Sequence, residues 1–521
     1  MIGMKRSKEK YNLRSKDESP SSSEEENISD PSTDISPQLV ISKHSLMQRR
    51  LSTAKSISEF PFSKKRVRVL SSEDKVSEVQ CGGILYWMLR DARVQDNWAL
   101  LFAQRLALKF ELPLIIIFCI TPQDANIAKR QYEFLLSGLE ELEYELHELS
   151  IPLHLCFGAA ACCLIEFVRL HEISAVVCDF SPLREHQQHV DEVKLLLPVD
   201  IPFTQVDAHN IVPLWVTSHK QEFVPFYMRR RIYPILDEYL TEFPPVIKHP
   251  HNKNIFNIKR ADWKKARNWF DGDCSVGVVK WAKSGYTAAC EQLQSFCTKR
   301  LPIYGEKRDD PTVNALSGLS PWIRFGQISA QRCALEVRRY SSKCQKSVEA
   351  FCEVAIIHRE LADNFCYYNK NYDNLKGIYS WAFNTLDEHR YDERNPSYQL
   401  SEFEQANTHD DLWNAAQIQL VREGKMHGFL RKYWAKKILE WSNSPEEALE
   451  IAIYLNDKYS LDGRDSNGYV GCMFSIGGLH DGAYRNRAIF GKIRYMNYKG
   501  CQRKFDVRAF VARYNTNEVI N

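Results

Sequence analysis

The sequence predicts an α/β domain built on a parallel, doubly wound sheet, joined to a larger all-α domain. Three observations carry that expectation. Between residues 80 and 212, short apolar runs alternate with helix-periodic stretches, the pattern of parallel strands joined by crossover helices. From about residue 280 onward the apolar spacing is helical almost throughout. The chain has 521 residues, 44% of them apolar and 11 of them tryptophan, ample for a large core.

Taken in order, residues 1–79 stand apart. They hold 18 serines, the acidic run Glu24-Glu25-Glu26 and few aromatics, a composition that reads as a disordered tail. Two basic clusters lie in it, KRSKEK at 5–10 and KKRVR at 64–68. They read either as a solvated linker or as a nuclear-import signal. GILYWML (83–89) suits a buried strand, residues 98–109 a helix, and LPLIIIFCI (112–120) a second strand. A charged helix over 130–149 leads to PLHLCFG (152–158), another helix, and AVVCDF (175–180). No GxGxxG opens this domain, which counts against a dinucleotide-dependent dehydrogenase. Residues 213–270 mix aromatics, prolines and arginines and read as a connection wrapping the two domains. The helical domain spans 271–515, with helices expected over 288–300, 328–340, 348–364, 411–422 and 428–441.

Several function classes drop out. A net charge of +3 announces no global nucleic-acid binder, so any DNA surface must be local. The 15 cysteines include no CxxC pair with zinc spacing and follow no secretory leader. They read as reduced, intracellular thiols, and no metal site is expected. The longest apolar run, 112–120, is too short to cross a bilayer and is interrupted by Pro113.

Four stretches could carry chemistry. In 425–441, Trp434 and Trp441 are seven residues apart and share a helix face, about 10 Å apart along the axis. Core packing and a redox chain both satisfy that spacing. Residues 454–482 crowd Asp, Asn, Gly and Arg between apolar runs, as a loop around a polar ligand would, or a surface loop. Residues 485–508 hold eight Lys/Arg against the single acid Asp506, with Tyr495 and Tyr498 interleaved. That suits phosphates and stacked bases, or a solvated basic face. In LSGLSPWIRFGQIS (316–329), Ser317 and Ser320 sit in a turn before a helix, where hydroxyls and free N–H groups hold phosphate or simply cap.

Together these stretches resemble class II cyclobutane pyrimidine dimer photolyases. The matching runs include ILYWMLRDARVQDNWAL (84–100), YGEKRDDPTVNALSGLSPW (304–322), RELADNFCYYN (359–369), THDDLWNA (408–415), YWAKKILEW (433–441), LDGRD (461–465) and FGKIRYMNYKGCQRKFDV (490–507). The resemblance covers about residues 80–515. It implies FAD in the helical domain, leaves open whether an antenna chromophore of unknown identity accompanies it, and implies light-driven repair of damaged DNA by a monomeric enzyme, expected in the nucleus. By that likeness Ser317, Gly318, Leu319 and Ser320 lie near the cofactor phosphates. Arg431 and Asp462 pair beside the isoalloxazine, and Asn456 meets its N5 edge. Trp434, Trp441 and Trp413 match the family's electron-transfer tryptophans, and Arg494 a residue inserted into DNA where the dimer flips out.

The lesion side departs from the family pattern. Val354 takes the place of an active-site glutamate, Lys432 that of a methionine, and Phe474 that of a tryptophan. Gly482 and Tyr484 replace a second DNA-invading arginine and another tryptophan. The cofactor side keeps the pattern. Two readings stay open at this point: dimer repair at lowered efficiency, and a cryptochrome-like blue-light receptor that keeps FAD without repair.

Overall fold

In the computed structural model, residues 40–76, 81–125, 127–252 and 260–514 are described. A six-stranded sheet occupies the first part of the chain: β1 (Val67–Val69), β2 (Ile84–Met88), β3 (Leu114–Ile120), β4 (Leu153–Phe157), β5 (Ala175–Asp179) and β6 (Phe203–Val206). Their spatial order is β1-β6-β5-β2-β3-β4. All pairings among β2 to β6 are parallel, and β1 alone is antiparallel, on β6. Strands β2, β3 and β5 are buried along their whole length, as a sheet covered on both faces requires.

The disordered-tail expectation fails for its second half. Residues 43–53 form helix α1 (Lys43–Thr53), capped by Ser42, and β1 extends the sheet. Composition misled because the segment is held by its charges. Arg50 is buried and donates two hydrogen bonds of 2.8 Å to Asp96, which also binds Arg332. Arg66 is buried too, donating to the carbonyls of Asn210 and Ile211 and lying over Trp98. The basic cluster 64–68 is therefore part of the fold; KRSKEK (5–10) lies outside the described residues.

The chain then crosses 213–252 with short helices, among them α2 (Pro225–Ile232), and enters the helical half. Four helices there build the site: α3 (Asp411–Glu423), α4 (Gly428–Trp441), α5 (Pro445–Tyr459) and α6 (Ser466–Gly477). Each starts on a side-chain cap, from Asp410, His427, Ser444 and Asp465 in turn. The helix expected over 348–364 is two helices, Ser341–Cys352 and Arg359–Tyr368, joined by the π-helical stretch Glu353–His358.

Arg90, just past β2, ties the halves together. Its guanidinium lies 2.9 Å from Asp363 and 3.1 Å from Asp465, the cap of α6. The end of the parallel sheet thus positions the helix that carries Phe474. Among the described residues no helix is long and apolar enough to cross a membrane.

Candidate active site

The turn at 316–320 is shaped by a glycine and two clamps. Gly318 has φ +71°, and a Cβ there would stand 2.6 Å from Gln292 Nε2. Gln292 donates to the Ser317 carbonyl (2.7 Å) and Arg300 to that of Leu316 (2.9 Å). Leu319 is buried. Ser320 opens the helix Ser320–Arg324, and its Oγ accepts from Lys425 Nζ at 2.7 Å. A cavity of about 690 Å³ opens here, lined by Gly318, Arg300, Lys425 and His427. Burial pushes the Lys425 ammonium down, against the pull of Asp462, and pushes His427 down to about 4, leaving it neutral at physiological pH.

Beside this turn α4 presents Arg431. Its Nη1 donates to Asn456 Oδ1 (3.1 Å) and its Nη2 to Ser460 Oγ (3.2 Å). The same Nη2 is 3.8 Å from Asp462 Oδ1, an ion pair too long for a hydrogen bond. Burial alone would raise the Asp462 carboxyl, but Arg431 and Lys425 outweigh it and hold it below the usual range. Ser320 and Ser460 also help to hold it down, which ties the turn electrostatically to the pair. Asn456 is buried, and Gly468 leaves room for it: a Cβ on Gly468 would stand 2.8 Å from its amide nitrogen. Asp462 Oδ1 is buried without a hydrogen-bond partner, an acceptor in need of a donor. The residues therefore fit a flavin dinucleotide: a tight turn and cations for its phosphates, and a cation, carboxylate and amide for its ring edges.

Three indoles lead away from Arg431 along α3 and α4. Trp413 stacks on Trp434 with ring centroids 6.3 Å apart and planes 6° apart. It meets Trp441 edge-on at 6.2 Å. The helix spacing of Trp434 and Trp441 is thus bridged by a residue from the neighbouring helix. The Trp413 N–H donates to the Trp434 carbonyl (3.0 Å) and the Trp434 N–H to Gln417 (2.9 Å), so both buried rings are oriented. Trp441 in turn abuts Tyr398 and the exposed His409.

The basic segment borders a second cavity, about 550 Å³, lined by Lys432, Lys436, Phe474, Tyr484 and Arg494. Arg494 is gripped by Asp481 through two 2.8 Å hydrogen bonds and lies over the Tyr484 ring. Burial lowers the Lys432 ammonium, and the buried Lys436 falls to about 7 while donating to the Ser475 carbonyl at 2.8 Å. Val354 is 46% exposed on the π-helical stretch and does not line this cavity. Its neighbour Glu353 is engaged elsewhere, 2.9 Å from Arg229 Nε and from the Tyr233 hydroxyl. Sequence reasoning missed Lys425, Lys436, Gln417 and Asp481. Lys436 lies one turn beyond Lys432, a signal that was available; the others have no local signature.

The comparisons agree with this geometry. The DNA photolyase family model matches residues 84–247. A deoxyribodipyrimidine photo-lyase of Potorous tridactylus is 54% identical over 463 residues, 89% of this chain and 87% of that protein. One from Arabidopsis thaliana is 44% identical, over 86% of this chain and 92% of the relative. Among solved structures, an archaeal photolyase from Sulfolobus tokodaii with two FAD molecules superposes with a TM-score of 0.60 at 14% identity, covering 84% of this chain and 92% of that one. That likeness speaks for the fold. With its parallel sheet, its helical half and relatives this similar along most of its length, the chain belongs to the DNA photolyase family.

Proposed function

We propose that the chain splits cyclobutane pyrimidine dimers in DNA by light-driven electron transfer, with FAD held between the 316–320 turn and the Arg431–Asp462 pair. The observation that carries this reading is the indole series Trp441–Trp413–Trp434, ending on the same helix as Arg431. When bound, FAD supplies the light-absorbing electron donor. The chain's own residues do the rest. Ser317, Gly318 and Ser320 present hydroxyls and backbone N–H groups to the diphosphate, with Lys425 as counter-charge. Arg431 keeps a positive potential at the ring edge and favours electron density there. The indoles pass electrons inward from the surface beside His409. Arg494 and Lys432 hold DNA phosphates, and Phe474 offers an aromatic face to a base displaced from the stack.

Val354 accepts no hydrogen bond from a dimer. A missing interaction of that kind costs about 1–3 kcal/mol, which slows repair without removing the donor. The crevice at the strand ends, lined by His186, Arg324 and Tyr372, encloses only about 50 Å³. That is room for a water or two and far below a chromophore, so this crevice is assigned no antenna group. A nuclear location is part of this proposal and rests on the basic run at 5–10.

The test is an action spectrum. Dimer-containing oligonucleotide is illuminated at a series of wavelengths with FAD-loaded protein, and restored thymine is quantified by chromatography. The efficiency should follow the absorption of the bound flavin; splitting that proceeds equally in the dark would contradict the proposal.

A further inference from the structure

The connection between the two domains carries a surface that the light reaction does not use. Helix α2 turns Met228 and Ile232 into the core but leaves Phe226 (53%) and Tyr227 (47%) exposed, with Phe223 (51%) just before it. Rings of this size normally supply buried area, so three exposed within five residues form an apolar face in search of a flat partner. Its cations are unequally engaged. Arg231 pairs with Glu222 at 2.6 Å and Arg229 with Glu353 at 2.7 Å. Arg230 is exposed and lies over the Phe226 ring at 5.7 Å, with no carboxylate in ion-pair range among the described residues.

The surface is continuous with the DNA-facing cavity. Phe223 packs on Tyr379 at 5.4 Å, and its carbonyl accepts from the Tyr379 hydroxyl and faces His480 Nδ1, both at 2.7 Å. The next residue, Asp481, is the one that grips Arg494. A groove of about 590 Å³ runs from Phe223 past Tyr379 and Trp381 to Asp481, with Lys376 on its side.

We infer that Phe223, Phe226, Tyr227 and Arg230 form a stacking platform for single-stranded DNA, holding unpaired nucleotides that flank the lesion. The choice of strand form follows from the side chains. A duplex hides the faces of its bases and offers phosphates, which cations alone would meet. Exposed rings interleaved with a free guanidinium match bases whose faces are open and whose backbone is anionic. The inference rests on the repair reading, which supplies DNA as the ligand.

Fluorescence anisotropy tests it with two forms of one dimer-containing oligonucleotide, single-stranded and annealed to its complement, on the full FAD-loaded chain. The Phe226→Ala/Arg230→Ala double variant should lose about tenfold or more in affinity for the single strand, from one lost stacking partner and one lost phosphate contact. Its duplex affinity and light-driven duplex repair should stay near wild type. Phe226→Tyr, which keeps a ring, should retain single-strand binding. An equal loss on both forms would reduce the patch to a general backbone contact and overturn the inference. Unchanged single-strand binding would overturn it as well and leave the surface to a protein partner. Wild-type protein that binds neither form would instead sink the repair reading itself.

Discussion

Lys436 owes its chemistry to where the fold puts it. Burial takes its ammonium down to about 7, whereas in an unfolded chain it titrates at about 10.4. Between those values the native state binds fewer protons than the unfolded state, so this residue makes stability rise with pH across that window. Below pH 7 both states are protonated and the cost of the buried charge is complete. Lys436→Met should therefore gain more stability at pH 6.5 than at pH 9, by an amount on the order of a few kcal/mol. Urea unfolding of wild type and variant at the two pH values measures it; an equal gain at both would show that the amine is not strained. Its place one turn beyond Lys432 was visible in the sequence, but its shift was not, because that comes from α6 packing over it. Val354 is the opposite case: its identity was plain in the sequence, and the structure adds that Glu353 beside it is tied to Arg229 and cannot stand in.

At the scale of elements, periodicity located β2, β3, β4, β5 and α4 to within a residue or two, because each is long, apolar and bounded by turns. It could not show that Trp413 lies between Trp434 and Trp441, since that contact joins two helices. The contact makes a prediction. Trp413→Phe keeps an apolar ring in the gap but removes an oxidisable indole, so photoreduction of bound flavin under a chemical donor should slow sharply. Trp281→Phe, whose ring is 41% exposed and meets Trp322 instead, should not slow it. Transient absorption reads both, and equal rates would remove Trp413 from the relay. Helix α1 was illegible for another reason: composition scores charge as a sign of disorder, yet here Arg50, Asp96 and Arg332 interlock in the core. Arg50→Ala leaves a buried carboxylate short of a partner and should cost about 3–5 kcal/mol in chemical denaturation. A change within about 0.5 kcal/mol would mean that the segment is ornamental.

Among the described residues, the end of the sheet positions a helix of the candidate site, with Arg90 as the link to Asp363 and Asp465. The two-domain plan was readable from the switch in apolar period. The pocket was not, since Arg431, Asn456 and Asp462 come from two helices and a loop; only the family likeness brought them together before the fold did. What the molecule does with that pocket comes down to dimers removed per photon. The direct measurement is the number of pyrimidine dimers left in ultraviolet-irradiated plasmid after incubation with the FAD-loaded protein, half the sample under blue light and half in darkness. The account predicts light-dependent loss, faster in Val354→Glu where that variant folds, and none in the dark. Flavin bound and photoreduced, DNA bound, and the dimer count unchanged by light would contradict it.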